Sequence, residues 1–499
     1  MSLTKVSYSM ITGAPVNAFD YMSAAQIADV QARTSLVDVS GAIQAAIDAN
    51  PGREVFLPSG TYRCESPIVL GAGGSSHDIL RGEGFPAYQT GTRLDFVGCN
   101  GIELEDSYQS ISNLWITGDK SGGTVDPETL DFGYVGIYIS GAGTASGSAS
   151  GIMNVTVEGF DTGIATKDTS GFAGAYFILS NIVVLSCVVG YAITQQTTQF
   201  NVTGGTIRNC TKHGIYTGPA LTEYQSVVFV DTLVENCGTT ASPVNATAGI
   251  CIRGVCKFGM FGGYLEQVRV FVDQFCSATF RKTWIQGSTR MWGQGEIDMS
   301  DAAGVEGQVI STDYDVSTYT NDNITVTYTN TGANPRCYRI QSTTAPGSDV
   351  RTRGLFGLTS AGDTNFNSIS RLNTNSTLLG WVKVQFQVKY VNPLPTQLGE
   401  LGDGSGFGLN IRINGYTGFD SQANSVNCDV DSFDVSDGEW HQVTIIKPIR
   451  AAAASTIQDT ITTVQWWLDF ANGNWDVSAL DMYVKASTVT MYFNNGKTV

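Results

Sequence analysis

The chain has 499 residues, 42% hydrophobic and only 15% charged, with 57 glycines and a net charge of −17. That length calls for two or three structural units, and the apolar content excludes a disordered chain. The acidic balance repels phosphate backbones, so nucleic acid is not an expected partner. The lack of an 18-residue apolar run argues against a membrane helix, and Met1 to Ala14 lacks the basic and apolar segments of a secretory leader.

Residues 1 to 20 read as a short extended arm. Asp38 or Ser40 can then cap a helix over Ala42-Ile43-Gln44-Ala45-Ala46-Ile47-Asp48, stopped by Pro51-Gly52. A short strand and turn follow in Glu54-Val55-Phe56-Leu57-Pro58-Ser59-Gly60-Thr61-Tyr62.

From about residue 95 two small units alternate at intervals in the twenties and thirties. One is a glycine before an apolar residue: Gly101-Ile102, Gly136-Ile137, Gly163-Ile164, Gly190-Tyr191, Gly214-Ile215 and Gly249-Ile250. The other is a short strand ending in a turn. It recurs as Val155-Thr156-Val157-Glu158, Thr206-Ile207-Arg208-Asn209, Leu233-Val234-Glu235-Asn236, Tyr264-Leu265-Glu266-Gln267 and Trp284-Ile285-Gln286-Gly287. Such spacing marks a solenoid in which each coil stacks on the last. The repeats fade near residue 300. Beyond residue 340 longer alternating strands appear, among them Trp381 to Val388 and Gly408 to Ile413, which indicate an antiparallel sandwich. The expected fold is therefore all-β, a right-handed parallel β-helix followed by a C-terminal antiparallel β-sandwich. Its divisions are an arm or neck over 1–40, the β-helix with a capping helix over 41–310, and the sandwich over 311–499.

Ten cysteines lack metal-site spacing and there are three histidines, His77, His213 and His441. The cysteines read as buried free thiols, and neither a metal nor another cofactor is expected.

The run Thr4-Lys5-Val6-Ser7-Tyr8-Ser9-Met10-Ile11, then Ala14-Pro15-Val16-Asn17, resembles the neck leading into the β-helix of bacteriophage tailspikes. Gly41 to Asp48 with Val55 to Tyr62 looks like the pectate-lyase-like entry to such helices, and Phe261-Gly262-Gly263-Tyr264-Leu265-Glu266 looks like a tailspike coil. The resemblance implies a capsular polysaccharide depolymerase on the virion tail. Such a protein is made in the host cytoplasm and acts at the bacterial surface on a capsule or O-antigen chain. It implies a homotrimer joined to other phage tail proteins through the N-terminus. Members often carry a long virion-binding domain ahead of the neck. Here three residues precede Thr4, which predicts a short attachment arm or a longer natural chain. The sandwich is expected to clamp the trimer or bind glycan.

Strand side chains alternate in and out, so Val157, Ile207, Val234, Leu265 and Ile285 are expected inside. Glu158, Arg208, Glu235, Glu266 and Gln286 then point outward, with Thr156, Thr206, Leu233, Tyr264 and Trp284 two residues earlier on the same face. Adjacent coils lie about 4.8 Å apart, which predicts a ladder of Arg208, Glu235 and Glu266. Two carboxylates on stacked rungs suit glycosidic hydrolysis, one as acid and one as base or nucleophile. Glu235 and Glu266 are the expected catalytic pair, with Asp231 as alternative partner and Glu158 and Asp161, or Asp273 with Asp298, as lesser candidates. Arg208, Tyr264, Trp284 and Gln286 are the expected sugar-binding residues. A polysaccharide lyase acting on a uronic acid would instead need a base beside a cation, for which His213 and Arg208 are the available pair. A non-catalytic glycan-binding spike is a further alternative, and a structural solenoid such as an adhesin is disfavoured without a leader.

Overall fold

The computed structural model describes residues 14–310 except for short stretches at 72–76, 85–89, 106–107, 141–148, 168–175, 195–198, 219–224, 239–247, 274, 286–289, 294 and 302–304. Further on it describes 324–331, 334–342, 352–358, 378–391, 407–414, 426–427, 438–450, 463–470 and 481–494. The chain divides into two units, Met1–Gly238 with Gly249–Leu265, and Thr239–Ala248 with Glu266–Val499.

The first unit opens on a helix that the sequence reading passed over, Ala24–Ala32. Ser23 starts it with a reciprocal cap. Its hydroxyl accepts from the Gln26 amide at 3.3 Å, and the Gln26 side chain accepts from the Ser23 amide at 2.9 Å. The expected second helix forms over Ser40–Asp48 and buries Ile43, Ala46 and Ile47. Gln44 then acts as a substitute strand. Its amide donates to the Val69 carbonyl at 3.0 Å and accepts from the Val69 N–H at 2.9 Å. The first edge of one sheet is thereby closed rather than left as an unpaired template.

Parallel strands follow. In one ladder Glu54–Leu57 pairs Ile79–Gly82, then Ser110–Gly118, Ala149–Glu158, Tyr176–Leu185, Gln199–Arg208, Gln225–Val230 and Cys256–Phe261. In the other, Ile68–Leu70, Ile102–Leu104, Val135–Ser140, Thr162–Lys167, Val189–Ile193, His213–Thr217 and Ile250–Ile252 succeed one another. Every pairing in both is parallel, so the unit is a parallel β-helix. Val157, Ile207, Val234, Leu265 and Ile285 are buried as expected, the last in the second unit.

Two columns of residues make the stacking possible. The long strands bend where Asn113, Asn154, Asn181 and Asp231 take left-handed backbone with φ of 51–57°. Asparagine tolerates that region, and its amide adds a ladder: Asn154 donates to Asn113 at 3.2 Å and Asn181 to Asn154 at 3.0 Å. The recurring glycines form the second column. A Cβ at Gly190 would lie 2.4 Å from the Gly214 carbonyl oxygen and 3.2 Å from Cys210 Sγ. One at Gly214 would lie 2.9 Å from Cys237 Sγ. Glycine is thus required by close approach, and the volume it vacates is filled by the cysteine sulfurs. Cys187, Cys210 and Cys237 are buried free thiols, as expected.

One coil is longer than its neighbours. Ile111 pairs with Ile152, 41 residues on, because residues 119–134 form a strap. Asp161 anchors it, its carboxylate accepting from the amides of Ser121 at 2.7 Å and Tyr134 at 2.9 Å. Lys212 holds the strap through the Val125 carbonyl at 3.0 Å and Asp126 at 3.5 Å, and Arg253 pairs with Glu128. Phe132 of the strap meets Tyr138 edge-on at 6.2 Å. On this sheet even the outward positions, Tyr138, Ala165, Ala192, Tyr216 and Cys251, are buried.

The second unit begins with parallel pairs, Arg269–Val272 with Arg290–Gly293 and Ser277–Arg281 with Glu296–Asp301. The hand of pairing then changes, for Arg290–Gly293 is joined antiparallel by His441–Arg450. That strand pairs Leu378–Tyr390, which pairs Asp481–Asn494. Arg339 clamps this region to Asp481 with two hydrogen bonds of 2.8 and 2.5 Å. A separate antiparallel sheet joins Thr352–Leu358, Thr463–Phe470, Phe407–Asn414 and Val426–Asn427. Antiparallel pairing throughout is what the alternating pattern after residue 340 predicts.

Candidate functional site

The long strands of the first unit bend at the asparagine column, and each half turns a different outward face to solvent. After the bend, pairing registers two outward columns. One runs Thr61, Arg93, Trp115, Thr156, Val183, Thr206, Leu233, and the other Arg63, Asp95, Thr117, Glu158, Leu185, Arg208, Glu235. Charged and aromatic side chains concentrate at the two ends of this stripe, with Val183 and Leu185 between.

At the first end five side chains are joined. Arg93 pairs with Asp95 at 2.5 Å and stands over the Trp115 ring, 5.0 Å from its centroid. The Thr117 hydroxyl is hydrogen-bonded to the same Asp95 oxygen. The Trp115 indole N–H donates to Glu158 at 3.2 Å. Asp95 sits one rung before Thr117 and Glu158 one rung after it, so two carboxylates reach toward the middle rung from opposite sides. Glu158 was a lesser candidate in the sequence, whereas Asp95, Arg93 and Trp115 were missed. Their strands, Thr92–Phe96 and Leu114 to Thr117, do alternate. The strap after Gly118 lengthens the coil and hides the repeat.

At the other end Arg208 and Glu235 stack on adjacent rungs and pair at 3.0 Å, with the Glu235 side chain 15% exposed and Arg208 49% exposed. Asn236 also donates to Glu235 at 3.3 Å. The ladder order expected for these two is present. Asp231 lies elsewhere, at the bend, in the column of Asn113, Asn154 and Asn181, with its carboxylate against the backbone of Gly262. Tyr264 is half-buried. Glu266 and Trp284 are half-buried residues of the second unit, and Gln286 lies outside the described residues.

Three other expectations change. Thr156 is buried, because its column neighbour Trp115 is large enough to cover it. Asp161 is 1% exposed and committed to the strap amides, so it is an anchor rather than a reacting group. His213 is buried on the strap-covered sheet, its ring 5.1 Å from that of Tyr216, and does not share the face of Arg208. In the second unit, Trp440 is half-buried, with its ring 6.5 Å from that of Tyr483. The side chains of Trp466 and Trp467 lie outside the described residues. Among the described residues no cluster of His, Cys, Asp and Glu is arranged to hold a metal. No described helix is long and apolar enough to cross a membrane.

The face before the bend differs. From Ser110–Gly118 to Cys256–Phe261 its two outward columns are Ser110, Gly151, Ile178, Asn201, Val228, Gly259 and Ser112, Met153, Ser180, Thr203, Val230, Phe261. None of these twelve carries a charge, although the face bears the exposed Lys257 beside them and the Arg81–Glu54 pair on the rungs before Ser110. Met153 is 52% and Ile178 56% exposed.

No protein-family model matches the chain, and no curated protein sequence matches it. Among solved structures it is similar to the enzymatically active domain of tailspike protein 2 from bacteriophage CBA120. That match has 12% identity and a TM-score of 0.37, over 95% of this chain and 82% of the other. It is similar to the phiAB6 tailspike, solved with three-repeated oligosaccharides of Acinetobacter baumannii surface polysaccharide. There the identity is 12% and the TM-score 0.29, over 92% and 88% of the two chains. A third similarity is to PfbA, a surface adhesin of Streptococcus pneumoniae, at 12% identity and a TM-score of 0.22, over 61% of this chain and 98% of that one.

Proposed function

We propose that this protein is a phage tailspike that binds a bacterial surface polysaccharide, capsule or O-antigen, and cuts it by glycosidic hydrolysis with paired carboxylates. The observation that carries the proposal is the stripe after the bend, where a β-helix presents carboxylates, cations and an indole on stacked rungs. Sugar rings pack on aromatic faces while their hydroxyls and acidic groups take charged hydrogen bonds. A rigid ladder holds such groups at fixed intervals along a repeating polymer. Arg208, oriented by Glu235, is suited to a carboxylate-bearing sugar, because a guanidinium recognises carboxylates in two-point geometry. Tyr264, and on the second unit Trp284, are proposed as further sugar contacts. The buried His213 weakens the His–Arg version of a lyase mechanism.

The proposal includes a homotrimer on the virion tail, attached to other tail proteins through the N-terminus. Its physical support is the sparsely charged face before the bend, where the two columns from Ser110 to Phe261 carry no carboxylate and expose Met153 and Ile178. Copies of a chain with net charge −17 repel one another, and a surface without carboxylates is where they approach at least cost.

The test is incubation of the purified protein with a panel of capsular and O-antigen polysaccharides, followed by assay of reducing ends. New reducing ends on at least one polymer, without unsaturated sugar products, are expected. Unsaturated ends would make the protein a lyase. Binding without any cleavage would make it an adhesive spike.

A further inference from the structure

We infer that Asp95 and Glu158 are the base and acid of the hydrolysis, acting across Trp115, in place of a pair built on Glu235. The inference rests on the depolymerase reading above and names the site within it. Hydrolysis needs two carboxyl groups on opposite sides of one bond, with space set by the mechanism. Glu235 and Asp95 are each half of an ion pair, with Arg208 at 3.0 Å and with Arg93 at 2.5 Å. What sets the first end apart is a second carboxylate, Glu158, two rungs from Asp95 in one column, whereas the two rungs before Glu235 carry Arg208 and Leu185. Glu158 is held differently, by an indole N–H at 3.2 Å, which fixes one oxygen and leaves the other available to a ligand.

The rungs give the distance. Asp95, Thr117 and Glu158 are on three successive rungs, so the outer two are separated at the backbone by about 9.6 Å, two steps of about 4.8 Å. Both carboxylates lean inward, Asp95 to Thr117 and Glu158 to Trp115 on that same middle rung. An inverting pair, with its window of roughly 6.5–9.5 Å that leaves room for a water, is within reach of carboxylates standing two rungs apart.

The roles follow from the neighbours. Asp95 bears the Arg93 guanidinium at 2.5 Å and the Thr117 hydroxyl on one oxygen, partners that fix its orientation toward the middle rung. Asp95 takes a proton from water as the water oxygen bonds to the anomeric carbon. Glu158 gives its proton to the glycosidic oxygen as the bond from the anomeric carbon to that oxygen breaks. One water is consumed and two sugar ends form, one of them reducing. Exchange with solvent restores both carboxyl groups. Trp115 supplies the plane against which the ring at the cleaved bond stacks, with Arg93 behind it.

The experiment uses the full chain on a polysaccharide that the wild type cuts, with Asp95→Asn and Glu158→Gln. Each variant is expected to lose about 100- to 10,000-fold in rate while retaining polymer binding and the wild-type circular dichroism. Glu158→Gln keeps its acceptor oxygen for the indole, so it remains informative should Asp95→Asn unfold. NMR of freshly released ends should show the anomer opposite to that of the polymer. Wild-type rates in both variants would overturn the assignment and leave the depolymerase reading intact. A retained anomer would overturn the division into base and acid. If the wild type cuts no polymer in the panel, the depolymerase reading falls and this assignment with it.

Discussion

The two halves of the long strands make the sharpest contrast in the molecule. Both belong to the same parallel ladder, share one hydrophobic interior and are separated by one or two left-handed residues per coil, Asn154 or Asn181 in some coils and Gly204-Gly205 or Gly262-Gly263 in others. Their outer surfaces nonetheless differ in charge. Over the rungs from Ser110 to Phe261 the two columns before the bend carry none, the face's charges being Lys257 beside them and the Arg81–Glu54 pair below, whereas the stripe after the bend carries Arg93, Asp95, Glu158, Arg208 and Glu235. A β-helix interior constrains only the inward residues. The outer ones are free to be specialised face by face, and the proposal assigns one face to a polymer and another to a second copy. The third face, behind the strap, is already closed by the chain itself.

That contrast can be broken on either side. The largest effect is expected on the charged half, where Asp95→Asn or Glu158→Gln removes catalysis. The same kind of change on the sparsely charged half should leave catalytic chemistry alone and act on assembly. Ile178→Asp places a carboxylate in the middle of that face, three times over in a trimer. Apposed like charges cost several kcal/mol at an interface, so light scattering at micromolar concentration should show the trimer lost and the monomer mass recovered. A trimer that survives the substitution would mean that this face is not the contact.

The interior common to both halves gives a third, smaller effect. Gly190→Ala puts a methyl 2.4 Å from the Gly214 carbonyl oxygen. Overpacking of this kind costs about 1–3 kcal/mol, to be read as a lower denaturation midpoint with an unchanged product profile. An unchanged midpoint would mean that the coils separate locally at no cost. The smallest effect concerns the Arg208–Glu235 pair. Arg208→Ala should alter stability by under about 1 kcal/mol, since partly exposed pairs contribute little. It should nonetheless weaken binding of an acidic polymer, measured by calorimetry. Equal affinity for acidic polymer would reduce the pair to a solvated surface contact.

Much of this architecture was legible in the sequence, and the reasons are specific. Gly101, Gly136, Gly163, Gly190 and Gly214 announced the coil because only glycine admits the neighbouring coil so closely. Val157, Ile207 and Val234 announced the inward face because β alternation has no slack. The helix Ala24–Ala32 went unread although Ser23 and Gln26 spell a capping box, the extended arm before it having drawn the chain as strand-like. The site was legible only in part. Register assigns Glu158 to the stripe, yet its neighbours Asp95 and Trp115 come from coils on the far side of a 41-residue step, across which local periodicity gives no alignment. Asp161 and His213 looked like chemistry because charge and imidazole draw notice in a chain with three histidines. Burial under the strap, a tertiary fact, decides against them.

The most direct measurement is a crystal structure of the Glu158→Gln protein with an oligosaccharide of the polymer it binds. The account predicts a sugar ring on Trp115, with Asp95 and residue 158 on opposite sides of one glycosidic bond and the chain running along the stripe toward Arg208. Oligosaccharide lying on the sparsely charged face around Met153 and Ile178, with the stripe empty, would contradict it.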